Sequence, residues 1–246
     1  GGGGGGMNND DVTRRKYSPD MVAPSYHYEH PYREEIEGLE YRPWQLDLSK
    51  VQSKDAKQIA QDNNSCKNDG NDEGEDGIWI DTEDDLIKLC TLINDGQKNG
   101  DIHEIALDLE AHSHRTFSGF VCLIQLSIRR RSTNASDINS NEAAKPDIDT
   151  GYDFLIDALS LRHAIPAHLG PILCNPNILK VMHGADSDIP WLQRDFGCYI
   201  VNLFDTGRAS RALKFQSAGL AYLLRKYANV DADKVHQLSD WRRRPL

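Results

Sequence analysis

The most constraining feature of this chain is an apolar run that ends in acids, Ile105-Ala-Leu-Asp-Leu-Glu110. Residues 105–109 read as a strand. Side chains of a strand alternate between faces, so Asp108 and Glu110, two positions apart, project from the same one. Two anions side by side at the end of a buried strand repel each other and lose hydration. A divalent cation is the natural neutraliser, and Mg²⁺ is commonly held by one or two carboxylates plus substrate phosphates. On the Asp-x-Glu spacing alone, two exposed acids, each paired with a surface base, are the more ordinary arrangement.

Such a strand needs sheet partners, and the sequence offers them at 78–80, 120–128, 154–156, 179–182 and 200–204. Thr82-Glu-Asp-Asp85 reads as a capping box opening a helix to about residue 93. Further helices are expected at 161–173, interrupted at Pro166 and Pro171, and at 187–196, 206–213 and 218–227. The polar insertion 129–152 lies between two strands that should form a hairpin with an enlarged loop. Early strands followed by strand–helix alternation imply an α/β fold with a mixed sheet flanked by helices.

A second acidic site follows the strand at 179–182: His183-Gly-Ala-Asp-Ser-Asp-Ile-Pro-Trp-Leu192. Gly184 permits a sharp exit, Asp186 or Ser187 can cap the new helix, and Pro190 is tolerated in its first turn. Asp188 then stands at the carboxyl end of a sheet strand, where open α/β sheets place their sites.

The remaining sequence bounds the class. Its 246 residues suit one domain with tails, and no run approaches about 20 apolar residues, so no membrane-spanning helix is expected. Six glycines precede Met7 and read as a fusion scar, and no secretory signal is expected at this start. Residues 1–27 form the scar and a polar, disordered tail. Residues 28–49 form an aromatic strap lying extended over the domain, 50–77 an acidic disordered linker, and 78–246 the folded unit. The net charge is −10, but nine acids and no base fall in 68–85, whereas 206–246 holds nine Lys or Arg against three Asp. An acidic total therefore does not exclude a polyanionic partner. Five widely spaced cysteines fit a reducing compartment better than a disulfide framework. His112 and His114 lack further ligands at zinc spacing.

Taken in order, these segments resemble the DEDD superfamily of 3′→5′ exonucleases, whose fold is RNase H-like. They are most similar to the RNase D branch, and within it to the exonucleases that accompany the eukaryotic nuclear RNA exosome. The matching stretches are 105–119, 183–195, 203–206 and 237–246, with the strap from His30 to Trp44 preceding them. The resemblance spans roughly residues 28–246 and implies that Asp108, Glu110 and Asp188 are catalytic and ligate metal. The cofactor implied is Mg²⁺ or Mn²⁺, two ions in the complete protein, acting on a water and on the leaving 3′ oxygen. His112, His114, Arg115, Phe117, His183 and Trp191 are implied as substrate-binding residues, although Phe117 could equally pack in the core. Arg208, Arg211 and Arg242, Arg243 and Arg244 would contact phosphates, and Asp205 would be structural. The implied substrates are single-stranded RNA 3′ ends, trimmed to nucleoside 5′-monophosphates in nuclear RNA processing and decay. The implied partners are the RNA exosome core and its cofactors, with no membrane, in the nucleus and its nucleolus. The family's third motif, Tyr-x-x-x-Asp, is expected beyond Leu246 and is missing here, so this chain is expected to be impaired or inactive. Two other readings stand beside this one. The chain could be a non-catalytic RNA- or exosome-binding fragment, or a DNA-directed exonuclease of the same superfamily.

Overall fold

The computed structural model describes residues 30–40, 77–130, 150–232 and 235–246. Six strands form one mixed sheet in the order β1-β4-β3-β2-β5-β6. They are β1 (Ile78–Ile80), β2 (Glu104–His112), β3 (Phe120–Arg130), β4 (Thr150–Asp157), β5 (Leu179–Met182) and β6 (Leu203–Asp205). The antiparallel meander β2-β3-β4 occupies the centre, β1 pairs parallel to β4, and β5 and β6 continue parallel from β2. The expected hairpin around the polar insertion is the β3–β4 pair, with Arg130 opposite Thr150. This is the mixed-sheet α/β layer architecture that the strand–helix order implies, in the RNase H-like form that the resemblance implies.

The core lies where the apolar stripes of the helices meet one face of the sheet. Helix α2 (Glu83–Asn99) buries Leu86, Leu89, Cys90 and Ile93 at helical spacing. They join Ile105, Leu107 and Leu109 of β2, and Ile165, Leu169 and Ile172 of helix α3 (Ile165–Leu173). Thr82 caps α2 by accepting from the Asp85 amide. The helix runs six residues past its last apolar position, Ile93, because Gly100 terminates it in the left-handed conformation. Helix α3 starts later than the sequence suggests. Asp157 first turns the chain by accepting from the Leu159 amide at 3.0 Å, and 158–164 are turns. Strand β6 is shorter than expected because Asn202 adopts φ +61, which breaks the extended run before Leu203.

Helix α4 (Asp188–Phe196) and helix α5 (Thr206–Ala212) follow β5 and β6. A last α-helical turn, α6 (Leu220–Leu223), runs into a π-helical turn at Leu224–Ala228. Of the expected extended strap, the described part forms a short helix, α1 (Arg33–Glu37), preceded by His30 and Tyr32 stacked around Tyr199. The polar tail, the linker and the insertion lie outside the described residues, apart from their edges. No helix among the described residues is long and apolar enough to cross a membrane.

The last residues are anchored to the sheet. Arg244 donates to both carboxylate oxygens of Asp157, at 2.6 and 3.0 Å, and to the Cys122 carbonyl at 2.9 Å. Its guanidinium also lies over the Trp79 ring. Burial pushes the Asp157 carboxyl up, but bonds from Arg244, Ser160 and the Leu159 amide outweigh it and hold the group below the usual carboxylate range. Arg244 is thus committed to the fold rather than free for phosphates, a correction to the sequence reading. Arg244→Ala strands a buried anion and should cost about 3 kcal/mol in urea unfolding at neutral pH. Because the Asp157 pKa is depressed, that difference should shrink as pH falls through and below the ordinary carboxylate range.

Candidate carboxylate site

Strand β2 places the first two acids. Ile105, Leu107 and Leu109 are buried toward the helices, so Ala106, Asp108 and Glu110 face the other way. Register with β3 sets Asp108 opposite Gln125 and Glu110 opposite Leu123, and a bulge follows directly between Glu110 and Ala111. The bulge skips Cys122, whose carbonyl is taken up by the Ala158 amide and Arg244. Bulges beside sites re-aim side chains. Gln125 donates to Glu110 Oε1 at 3.2 Å.

Strand β5 brings the third acid. Ala106 pairs with Val181, so the chain leaving β5 after Met182 emerges beside the acidic end of β2. Gly184 turns it with φ +70, and Asp205, at the end of β6, accepts from the Gly184 and Ala185 amides at 3.0 Å each. Asp205 also accepts from the Gly207 and Arg208 amides, capping α5. Its structural role is therefore as expected. Neither Asp186 nor Ser187 caps α4 through its side chain: Ser187 makes no cap bond and Asp186 pairs with Arg208. Asp188, the first residue of α4, is buried on the same helix face as Leu192 and Phe196, the face turned to the sheet.

The three carboxylates sense one another. Burial pushes Glu110 up to about 7, with Asp108 and Asp188 adding repulsion. Burial pushes Asp188 up to about 6, with Asp108 and Asp205 contributing. Asp108 is open to solvent on one side, yet the protein around it raises its carboxyl, against the Leu109 amide and His183, which lower it. Elsewhere buried acids have cations or amides: Asp157 has Arg244, Asp195 has Arg194 and Arg162, and Asp205 has four amides. Among the described residues no Lys or Arg pairs with Asp108, Glu110 or Asp188. Three hard oxygen donors that, among the described residues, have no Lys or Arg beside them fit a divalent cation chemically. They are not a closed cage, because among the described residues no three His, Cys, Asp or Glu side chains are grouped to hold an ion by themselves. An open set of this kind suits Mg²⁺, which keeps waters and takes substrate oxygens.

The other expected site residues divide. His183 lies close enough to Asp108 to lower its pKa, and its Nδ1 is 2.9 Å from the Thr206 hydroxyl. His112 turns toward the C-terminal stretch, with Nδ1 3.8 Å from Asp240 and its ring against Phe120. His114, Arg115 and Phe117 stand on the exposed loop 113–119, and Phe117 is wholly exposed, which removes the core alternative for it. Trp191 packs partly buried against the core. Arg208 and Arg242 form ion pairs with Asp186 and Asp240. Gln125 escaped the sequence reading, although an amide inside the apolar run of β3 was a visible signal. Arg194 and Asp195 escaped it too, since on sequence they are ordinary charged residues of a helix end.

A family model described as 3'-5' exonuclease matches residues 78–246. The chain is 37% identical over 221 residues to "Exosome complex exonuclease RRP6" of Saccharomyces cerevisiae, covering 89% of this chain and 24% of that protein. It is 42% identical over 168 residues to "Exosome complex component 10" of Homo sapiens, covering 68% of this chain and 16% of that one. The chain thus spans a quarter or less of these relatives. The catalytic core of RRP6 from Trypanosoma brucei superposes with a TM-score of 0.56 at 35% identity, over 70% of this chain and 40% of that chain.

The raised pKa values carry a sign. The folded state holds protons on Glu110 and Asp188 more tightly than the unfolded chain, so their ionisation opposes folding. The penalty is absent below the unfolded carboxylate range, about pH 4, and is complete above about pH 7. Glu110→Gln should therefore stabilise the metal-free chain at about pH 8 by on the order of 1 kcal/mol, discounted for the solvent-facing side of the carboxyl. At about pH 4.5 it should change little. Thermal melts at the two pH values check this, and equal shifts at both would refute it.

Proposed function

From the premise that this chain belongs to the 3'-5' exonuclease family, and resembles its RRP6 members, we propose that it is the nuclease core of a divalent-metal-dependent 3′→5′ exoribonuclease. The observation that carries the reading is the clustering of Asp108, Glu110 and Asp188 at one end of the sheet, repelling one another and, among the described residues, paired with no Lys or Arg. A bound Mg²⁺ or Mn²⁺ would supply Lewis acidity and an activated water for phosphodiester cleavage. Asp108, Glu110 and Asp188 would hold it, and Gln125 orients the Glu110 carboxylate.

Phe117 offers a bare aromatic face for stacking the terminal base, and His114 and Arg115 on the same loop can reach phosphates. Arg243 and Arg211 are exposed at the basic C-terminal end and add a sequence-independent attraction for a polyanion. The products are nucleoside 5′-monophosphates, released one by one from single-stranded 3′ ends. The relatives named as exosome components support an RNA-processing role with the exosome core as partner, in the nucleus. We place the exonuclease domain at 78–246, preceded by the 28–49 strap and the 50–77 linker.

Asp108→Asn, introduced into a full-length version, should abolish trimming of a 5′-labelled RNA, and unchanged trimming would sink the assignment. A matched DNA oligonucleotide in the same assay separates RNA from DNA preference. Binding of single-stranded RNA should weaken steeply with salt, by about tenfold or more between 50 and 200 mM if several phosphates are contacted. A flat response in fluorescence anisotropy would remove the basic patch from the interface.

A further inference from the structure

Loop 113–119 has every reason to wander. It contains no regular structure, and both Arg115 and Gly119 adopt positive φ, +57 and +65. It carries an aromatic with no packing partner, since Phe117 is fully exposed. Ordering each such residue costs about 1–2 kcal/mol of backbone entropy, so a defined position needs specific bonds.

Those bonds come from the far end of helix α4. Arg194 spans two consecutive carbonyls of the loop, donating through Nη1 to Ser118 and through Nη2 to Gly119 at 3.1 Å. Asp195 accepts from the Val121 amide at 2.8 Å, just inside β3. The two clamp residues are joined, Arg194 Nε to Asp195 Oδ1 at 2.7 Å, and Arg162 closes on the same carboxylate oxygen at 3.6 Å. Arg162 in turn lies over the Phe196 ring. Within the loop, Thr116 accepts from the Gly119 amide at 2.8 Å. A Cβ at position 119 would stand 3.0 Å from the His112 carbonyl, so the loop closes tightly onto the end of β2. The Asp195 carboxylate is buried, which makes its bonds to the loop root strong and costly to leave unmade.

The same nine-residue helix begins with Asp188. One rigid rod thus presents a site carboxylate at its first turn and grips the aromatic loop at its last. We propose that Arg194 and Asp195 are positioning residues for substrate: they fix loop 113–119 so that Phe117 receives the terminal base in register with Asp108, Glu110 and Asp188. The proposal rests on the exoribonuclease reading and adds to it the device that sets the distance between base and carboxylates. Neither clamp residue touches the reacting atoms; both act through the loop.

The test uses this chain with a fluorescein-labelled single-stranded 12-nucleotide oligoadenylate, in Ca²⁺ to prevent turnover. Phe117→Ala and Arg194→Ala should each weaken binding by roughly tenfold, the scale of one lost base stack. Their double variant should be no weaker than either single, because both remove the same contact. Arg194→Lys, with one donor group in place of the fork, should fall between. Amide exchange at 118–121 should quicken in Arg194→Ala and Asp195→Asn, while exchange in the α2 core stays unchanged. Additive losses in the double variant, or unchanged exchange at 118–121, would overturn the clamp. Unaltered RNA affinity in Arg194→Ala would overturn it while leaving the nuclease reading intact. No binding by the parent chain would overturn both.

Discussion

The parallel pairing of β2 with β5 is the constraint on which the rest of this molecule depends. Asp108 and Glu110 are locally encoded, since two positions on one strand face must lie together. Asp188 has no local reason to join them. It arrives because Ala106 pairs with Val181, which sets the exit of β5 at the level of the acids, and because Gly184 turns the chain there. Asp205 completes the arrangement from β6 by accepting from the Gly184 and Ala185 amides, so the turn is held from two sides. A one-residue slip of β5 would reverse which of its side chains face the core and would carry Asp188 out of the cluster.

Among the acids of the described residues, the electrostatic cost of burial falls at this point. The other buried acids are answered by an arginine or by backbone amides, so their charge is stabilised where it stands. Glu110 and Asp188 are pushed upward instead, toward about 7 and about 6. Burial alone would make these groups neutral and inert. Burial together, open on one side and with hard oxygen donors, makes them receptive to a divalent ion. Perturbed carboxylates gathered at one end of a sheet are a common mark of a functional site.

The sequence was most legible where a periodic pattern coincided with a packed element. The strand 105–109, the capping box at Thr82 and the alternation after residue 157 all survive in the structure because burial acts on the same period that the sequence displays. Ends were less legible. Helix α2 continues through polar residues to Gly100 since a helix stops at its cap, not at its last leucine. Asn202 delays the start of β6 through a backbone conformation that its side chain tolerates but does not announce. Long-range partners were least legible. Nothing in Arg244 or Asp195 distinguishes them from surface charges until Asp157 and the Val121 amide are seen beside them. The strap is described only over 30–40, where 33–37 closes a helical turn that its aromatics did not suggest and His30 and Tyr32 make the contact with Tyr199.

The stiffness of the site end has two independent sources, and they meet at β3. From one side Arg244 reaches the carbonyl of Cys122, the residue displaced by the bulge beside Glu110. From the other, Asp195 takes the amide of Val121, one residue away. The first contact ties the basic C-terminal stretch to the strand, and His112 near Asp240 extends the same seam. The second ties helix α4, and so Asp188, to the strand. A bulge is a weak place in a ladder because its extra residue loses regular pairing. Here two backbone groups beside the irregularity, the Cys122 carbonyl and the Val121 amide, are bonded to charged side chains, which are stronger partners than neutral ones. The irregularity can therefore re-aim Glu110 without loosening the strand that carries it, and the carboxylates keep a fixed geometry next to a loop that remains open to solvent.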